Sequence, residues 1–120
     1  MAKSPLTDRR LLGTWRSDGR RTGAEIAARR DIKSSNKKRL RSLFGKLRLR
    51  YTKTRCYATL NGETQISRYI VAAKDEDSVA VVLADPEVGT VISHIHFEGQ
   101  SFWISLGPIR EYFRKIANRG

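Results

Sequence analysis

The chain has 120 residues, enough for one domain with a single modest core. Apolar residues make up 39% and charged residues 30%, with 24 Lys plus Arg against 12 Asp plus Glu for a net charge of +12. These figures exclude collagen-like, low-complexity and helix-spanning membrane chains, since no window approaches 18 apolar residues.

The charge is uneven. Residues 1–60 carry 18 basic and four acidic side chains, whereas residues 61–120 carry six and eight. A one-signed region concentrates polyanions, so nucleic acid is a candidate partner; a solvated basic face is the plainer reading. Cys56 is the only cysteine, which excludes an internal disulfide. The start of the chain lacks the apolar stretch of a secretory signal, and a cytoplasmic location is expected.

Residues 1–8 read as a loose lead-in to a single domain spanning 1–120. A short apolar run follows, from Leu11 to Trp15, ended by Ser17-Asp18-Gly19. Thr22 and Glu25 have capping-box spacing, which predicts a helix start. Ser34-Ser35-Asn36 interrupts that helix, and Leu40, Leu43, Phe44 and Leu47 then recur at helical spacing. Residues 22–46 therefore read as a two-helix insertion. From Lys46 the period becomes two, with Leu47, Leu49 and Tyr51 alternating with Lys46, Arg48 and Arg50.

Arg55–Leu60, Glu63–Ala73, Ser78–Leu83, Thr90–Phe97 and Ser101–Leu106 read as further strands, giving six or seven in an antiparallel meander, closed or partly closed. Asn61-Gly62 is a hairpin signal, because both residues tolerate positive φ. Ile109, Tyr112, Phe113 and Ile116 fall on one helical face behind Pro108, which predicts a short C-terminal helix; a last strand is the second choice. Leu11, Trp15, Leu47, Leu49, Tyr51, Ile70, Val82, Ile92, Ile95, Phe97, Phe102, Trp103 and Ile104 are the expected core or cavity walls.

The run Leu12-Gly13-Thr14-Trp15, with a helix pair directly after it, resembles the calycins, meaning lipocalins and intracellular fatty-acid-binding proteins. The resemblance implies an all-β, lipocalin-like small barrel or half-barrel that binds a small hydrophobic or acidic molecule without catalysis. It also implies that Trp15 lies across one end of the barrel against a late Arg. In that family an Arg-x-Tyr pair holds a ligand carboxylate, and Arg110-Glu111-Tyr112 matches it. The helical period of the same segment instead gives Tyr112 to core packing.

His94 and His96 share one face of a strand about 7 Å apart, as chelating ligands would. With no third ligand defined, unless a carboxylate or Cys56 supplied one, they read first as sheet residues or a polar cavity lining, and no metal site is expected. No phosphate loop and no nucleophile–base pair is present, so neither an enzyme nor a cofactor is expected. Lys37, Lys38, Arg39, Arg41, Lys46, Arg48 and Arg50 are the candidate polyanion contacts within residues 29–55, and Tyr51, Tyr57 and Tyr69 are nearby stacking candidates.

Overall fold

A computed structural model describes residues 7–85, 87 and 89–117; the start of the expected lead-in, residues 1–6, lies outside it. The elements are β1 (Gly13–Ser17), α1 (Gly19–Ala28), α2 (Ser34–Arg41), β2 (Arg48–Tyr51), β3 (Arg55–Leu60), β4 (Glu63–Lys74), β5 (Ser78–Asp85), β6 (Gly89–Glu98), β7 (Ser101–Leu106) and β8 (Ile109–Ala117). Each strand pairs antiparallel with the next, and β8 returns to β1. The fold is thus mostly β, an eight-stranded closed barrel with two helices after the first strand. Closure pairs the first strand with the last and so removes the two terminal sheet edges, while β6 and β7 pair only over His96–Glu98 and Ser101–Trp103.

The C-terminal segment is a strand and not the expected helix, which raises the strand count to eight. Leu106 opposite Ile109 encloses a two-residue turn with Gly107 at φ +65°, a conformation that favours glycine. The misleading helical spacing has a physical origin. Phe113 faces the interior, but Tyr112 faces outward and is buried beneath α1, where Arg21 stands over its ring at 4.1 Å. Glu111 meanwhile points inward, buried, and its Oε2 accepts a 2.8 Å hydrogen bond from the Ser17 hydroxyl. The Asn61-Gly62 hairpin forms as its chemistry demands, with φ of 51° and 83°.

Helix α1 starts at Gly19, because Asp18 caps it by accepting from the Arg21 N–H at 3.1 Å. Thr22, expected as the cap, is instead fully buried, and its hydroxyl accepts the Tyr112 N–H at 2.9 Å. Helix α2 ends at Arg41 and buries no residue, so the Leu40–Leu47 stripe is no core-facing helix; Leu43 is 63% exposed. The hairpin of helices closes where Gly19 meets Gly45, whose Cα lies 3.0 Å from a Cβ built on Gly19.

Inside the barrel Trp15, Phe97, Phe102 and Phe113 form a ring cluster, with Trp15–Phe102 and Phe102–Phe113 centroids 4.5 and 5.0 Å apart. Leu11, Leu49, Tyr51, Cys56, Tyr69, Val71, Val79, Val81 and Ile95 complete the core. Ile70 and Ile92, expected inside, are outside at 48% and 73% exposure, and Val82 is their outward neighbour in register. Trp103 also faces outward, opposite Tyr112. In continuous apolar runs such as Ser78–Leu83 the period of two is hidden, and a slip of one residue exchanges the faces.

One end of the barrel is plugged. The Trp15 indole N–H donates to the Leu11 carbonyl at 2.9 Å, and Lys115 Nζ stands 5.0 Å from the Trp15 ring. Arg10 stacks on Phe97 at 4.6 Å, binds the Asp8 carboxylate, and donates to the Asp75 and Glu76 carbonyls. Burial alone would raise the Asp8 pKa, but the Arg10 hydrogen bonds and charge, with Lys74, hold it below the ordinary 3.8.

Replacing Phe102 with Ala is expected to destabilise the fold by about 3–5 kcal/mol in denaturant unfolding, since a fully buried ring is lost. Burial raises the Glu111 pKa above the ordinary 4.5, against the Ser17 hydrogen bond. A raised folded-state pKa means the folded chain holds more protons, so this group's contribution is present below 4.5 and lost as pH rises through the raised value. Glu111→Gln should therefore raise Tm at pH 7 by a few degrees and make no difference near pH 4; an unchanged Tm at pH 7 would contradict this.

Candidate functional site

Strand alternation carries the basic residues to the outer wall. In β1, Trp15 and Ser17 face the interior, so Thr14 and Arg16 face out. In β2, Leu49 and Tyr51 are buried, so Arg48 and Arg50 face out. Register then aligns residues across strands: Arg114 of β8 opposes Arg16 of β1, which opposes Arg48 of β2, which opposes Thr59 of β3. One row along, Thr14, Arg50, Tyr57 and Ile66 lie side by side. Arg55 and Arg68 make a further opposed pair.

These six arginines, Arg16, Arg48, Arg50, Arg55, Arg68 and Arg114, have no carboxylate within ion-pair distance among the described residues. The ion pairs of those residues join Arg10 to Asp8, Arg21 to Glu98, Arg29 to Asp31 and Arg110 to Glu25. Like charges directly across a sheet repel. The row of Arg114, Arg16 and Arg48 therefore has unbalanced positive potential facing solvent.

Beside this row, Arg16, Arg20 and Arg114 border a groove of about 610 Å³, floored by Ser17, Asp18, Gly19 and Gly45. Gly19 also borders a neighbouring groove of about 340 Å³ with Lys38 and Arg41, which extends the basic surface onto α2. The other α2 cations are placed differently. Lys37 donates to the Ala27 carbonyl at 2.9 Å and tethers α2 to α1, and Arg39 lines a separate groove with Asp31 and Lys33. Lys46 is exposed just before β2. The single patch read from residues 29–55 is thus divided at the helices. Its larger part keeps Arg55 and gains Arg16, Arg20, Arg68 and Arg114, which sequence reasoning missed.

The five expected ligand residues do not meet inside the barrel. Trp15 is core. His94, His96, Arg110 and Tyr112 are on the outer wall, where His96 and Arg110 stack on Trp103 at 3.9 and 4.0 Å and the His94 ring packs at a tilt against His96 at 4.1 Å. Glu25 of α1 reaches Arg110 at 4.0 Å. His94 Nε2 hydrogen-bonds the Ser78 hydroxyl at 3.0 Å. Burial, then the charges of His94 and Arg110, lower the His96 pKa below 6.5.

Cys56 is buried inside, so it cannot join the outward histidines, and no group of three metal ligands forms among the described residues. The Cys56 thiol is pushed up to about 11 by burial. Of the three tyrosines, Tyr51 and Tyr69 are interior, edge-to-face at 5.3 Å, and only Tyr57 faces out.

The barrel's other end carries the helices, the Asn61-Gly62 turn and the Gly107-Pro108 turn. A half-open cleft of about 640 Å³ enters there, walled by Leu47, Ala58 and Leu60 and edged by Glu63, Gln65 and Glu87. Gln65 is held by the Asp85 carboxylate at 3.2 Å. No helix among the described residues is long and apolar enough to cross a membrane. The chain matches no protein-family model, and no curated protein or solved structure is significantly similar to it.

Proposed function

We propose that the chain is a calycin-like barrel that binds an extended polyanion on its outer wall and carries out no catalysis. The observation that carries this reading is the cross-strand row Arg114–Arg16–Arg48, three guanidinium groups on adjacent strands without a carboxylate partner among the described residues. Strands lie about 4.8 Å apart, so such a row offers repeated forks to successive anionic groups. Kinship with calycins is supported by Gly13-Thr14-Trp15 on the first strand, the helix pair after it, and Trp15 at the plugged end beneath a late cation, Lys115, where the family has Arg. A reducing, cytoplasmic location accompanies the proposal and suits the lone buried thiol of Cys56.

The cleft supports a second reading, a small-molecule site in the barrel mouth, through its apolar wall of Leu47, Ala58 and Leu60. Its edge carries Glu63 and Glu87, so an uncharged hydrophobic ligand suits it better than an acidic one.

For the outer wall, affinity for inorganic polyphosphate and for a single-stranded oligonucleotide should fall steeply with salt, with a log–log slope of about −4 to −6. Combining Arg16→Gln, Arg48→Gln and Arg114→Gln should flatten that slope by about three units. Absence of binding at low salt, or an unchanged slope in the triple variant, would overturn the proposal.

A further inference from the structure

We infer that the polyanion is single-stranded nucleic acid, read by an aromatic subsite at Arg50 and Tyr57; this rests on the outer-wall reading above. A polymer of phosphates alone would need cations and nothing else. Yet the row next to the arginine row holds a stacking pair, with the Arg50 guanidinium 4.0 Å above the centre of the Tyr57 ring. Both residues are half-buried on the outer wall, and Tyr57 is the single tyrosine of its neighbourhood that the fold turns away from the core. A groove of about 260 Å³ runs past them, lined by Thr14, Arg48, Arg50, Tyr57, Thr59 and Thr64.

The Thr59 and Thr64 hydroxyls bond each other at 2.8 Å, and both residues line the groove together with Thr14. The groove therefore offers a planar cation backed by an aromatic ring, with threonine side chains beside it. That combination suits a nucleobase, since guanidinium and phenol rings both stack on bases.

The spacing agrees. Arg48 and Arg50 are two residues apart on one strand, so the two rows are separated by about 7 Å. A nucleotide whose phosphate sits on the Arg16–Arg48 row can lay its base on the Arg50–Tyr57 row. In a duplex both faces of each base are already stacked, and the subsite would find nothing to bind. Stacking on Tyr57 also holds the Arg50 guanidinium in place: the ring orients the fork and adds no negative charge to compete with the ligand.

Fluorescence anisotropy at physiological salt separates the possibilities. A single strand should bind at least about tenfold tighter than the duplex of the same sequence, although the duplex has the higher charge density. Tyr57→Ala should weaken single-strand binding at least about fivefold with the salt slope unchanged, and Tyr57→Phe should retain it. Arg50→Lys should weaken it as well, because the charge stays and the plane is lost. Polyphosphate binding should be indifferent to Tyr57→Ala. A duplex bound as tightly as the single strand, or a Tyr57→Ala variant of unchanged affinity, overturns this inference while the basic wall stands. No binding of polyphosphate or oligonucleotide overturns both. The wild-type comparison and Tyr57→Phe keep the test decisive should Tyr57→Ala fail to fold.

Discussion

The pairing of β1 with β8 is the contact on which the other features depend. It closes the sheet and so removes the two terminal edges, β1 and β8, that an open eight-stranded meander would expose. On the inner side it sets Trp15 under Lys115 and Ser17 against Glu111, and between them the ring cluster of Phe102 and Phe113 is packed. On the outer side the same register sets Arg114 beside Arg16. The plug of the barrel and the basic wall are two faces of one strand pair, which come from opposite ends of the chain.

The helices relate to this closure in a specific way. β1 stops at Ser17, and above it β8 has lost its neighbour. Helix α1 takes that place: Thr22 accepts the Tyr112 N–H and the Asp18 N–H donates to the Tyr112 carbonyl at 2.7 Å, so the backbone groups of Tyr112 stay satisfied where the sheet ends. The return path brings Gly45 against Gly19, and the Gly45 N–H donates to the Ser17 hydroxyl at 3.0 Å. Ser17 therefore links the helical hairpin to Glu111 inside the barrel. Arg29 secures the far end of α1 by donating to the Pro108 carbonyl at 2.6 Å. The helices thus belong to the wall of the barrel at its open end, and their cations are presented next to those of the sheet.

Much of the fold was legible in local chemistry. The Asn61-Gly62 turn, the strands around it, the helix pair after Trp15 and the alternation at Leu47–Tyr51 all follow from short-range rules, and the structure has them. The last strand was legible only as the second choice, because its spacing answers to different surroundings on its two faces. Tyr112 is apolar outward because α1 covers it, and Glu111 is charged inward because Ser17 receives it; neither neighbour can be seen from the segment itself. The same gap hid half of the basic wall. Arg48 and Arg50 announce themselves by alternation, but Arg16 and Arg114 become partners only when the barrel closes. His94 and His96 share one face as their spacing requires, and that face is the outer wall, which they share with Ile92 at 73% exposure. Apolar character does not fix a face where the outer wall itself carries isoleucine.

The proposed functional surface is the outer wall of β8, β1, β2 and β3, with the barrel mouth secondary to it. Backbone amide shifts recorded during titration with a single-stranded oligonucleotide test this most directly. The expected result is a contiguous set of shifts at Thr14, Arg16, Arg48, Arg50, Tyr57 and Arg114. Shifts confined to Leu47, Ala58, Leu60 and Glu63 at the mouth, or a titration that moves none of these signals, would contradict it.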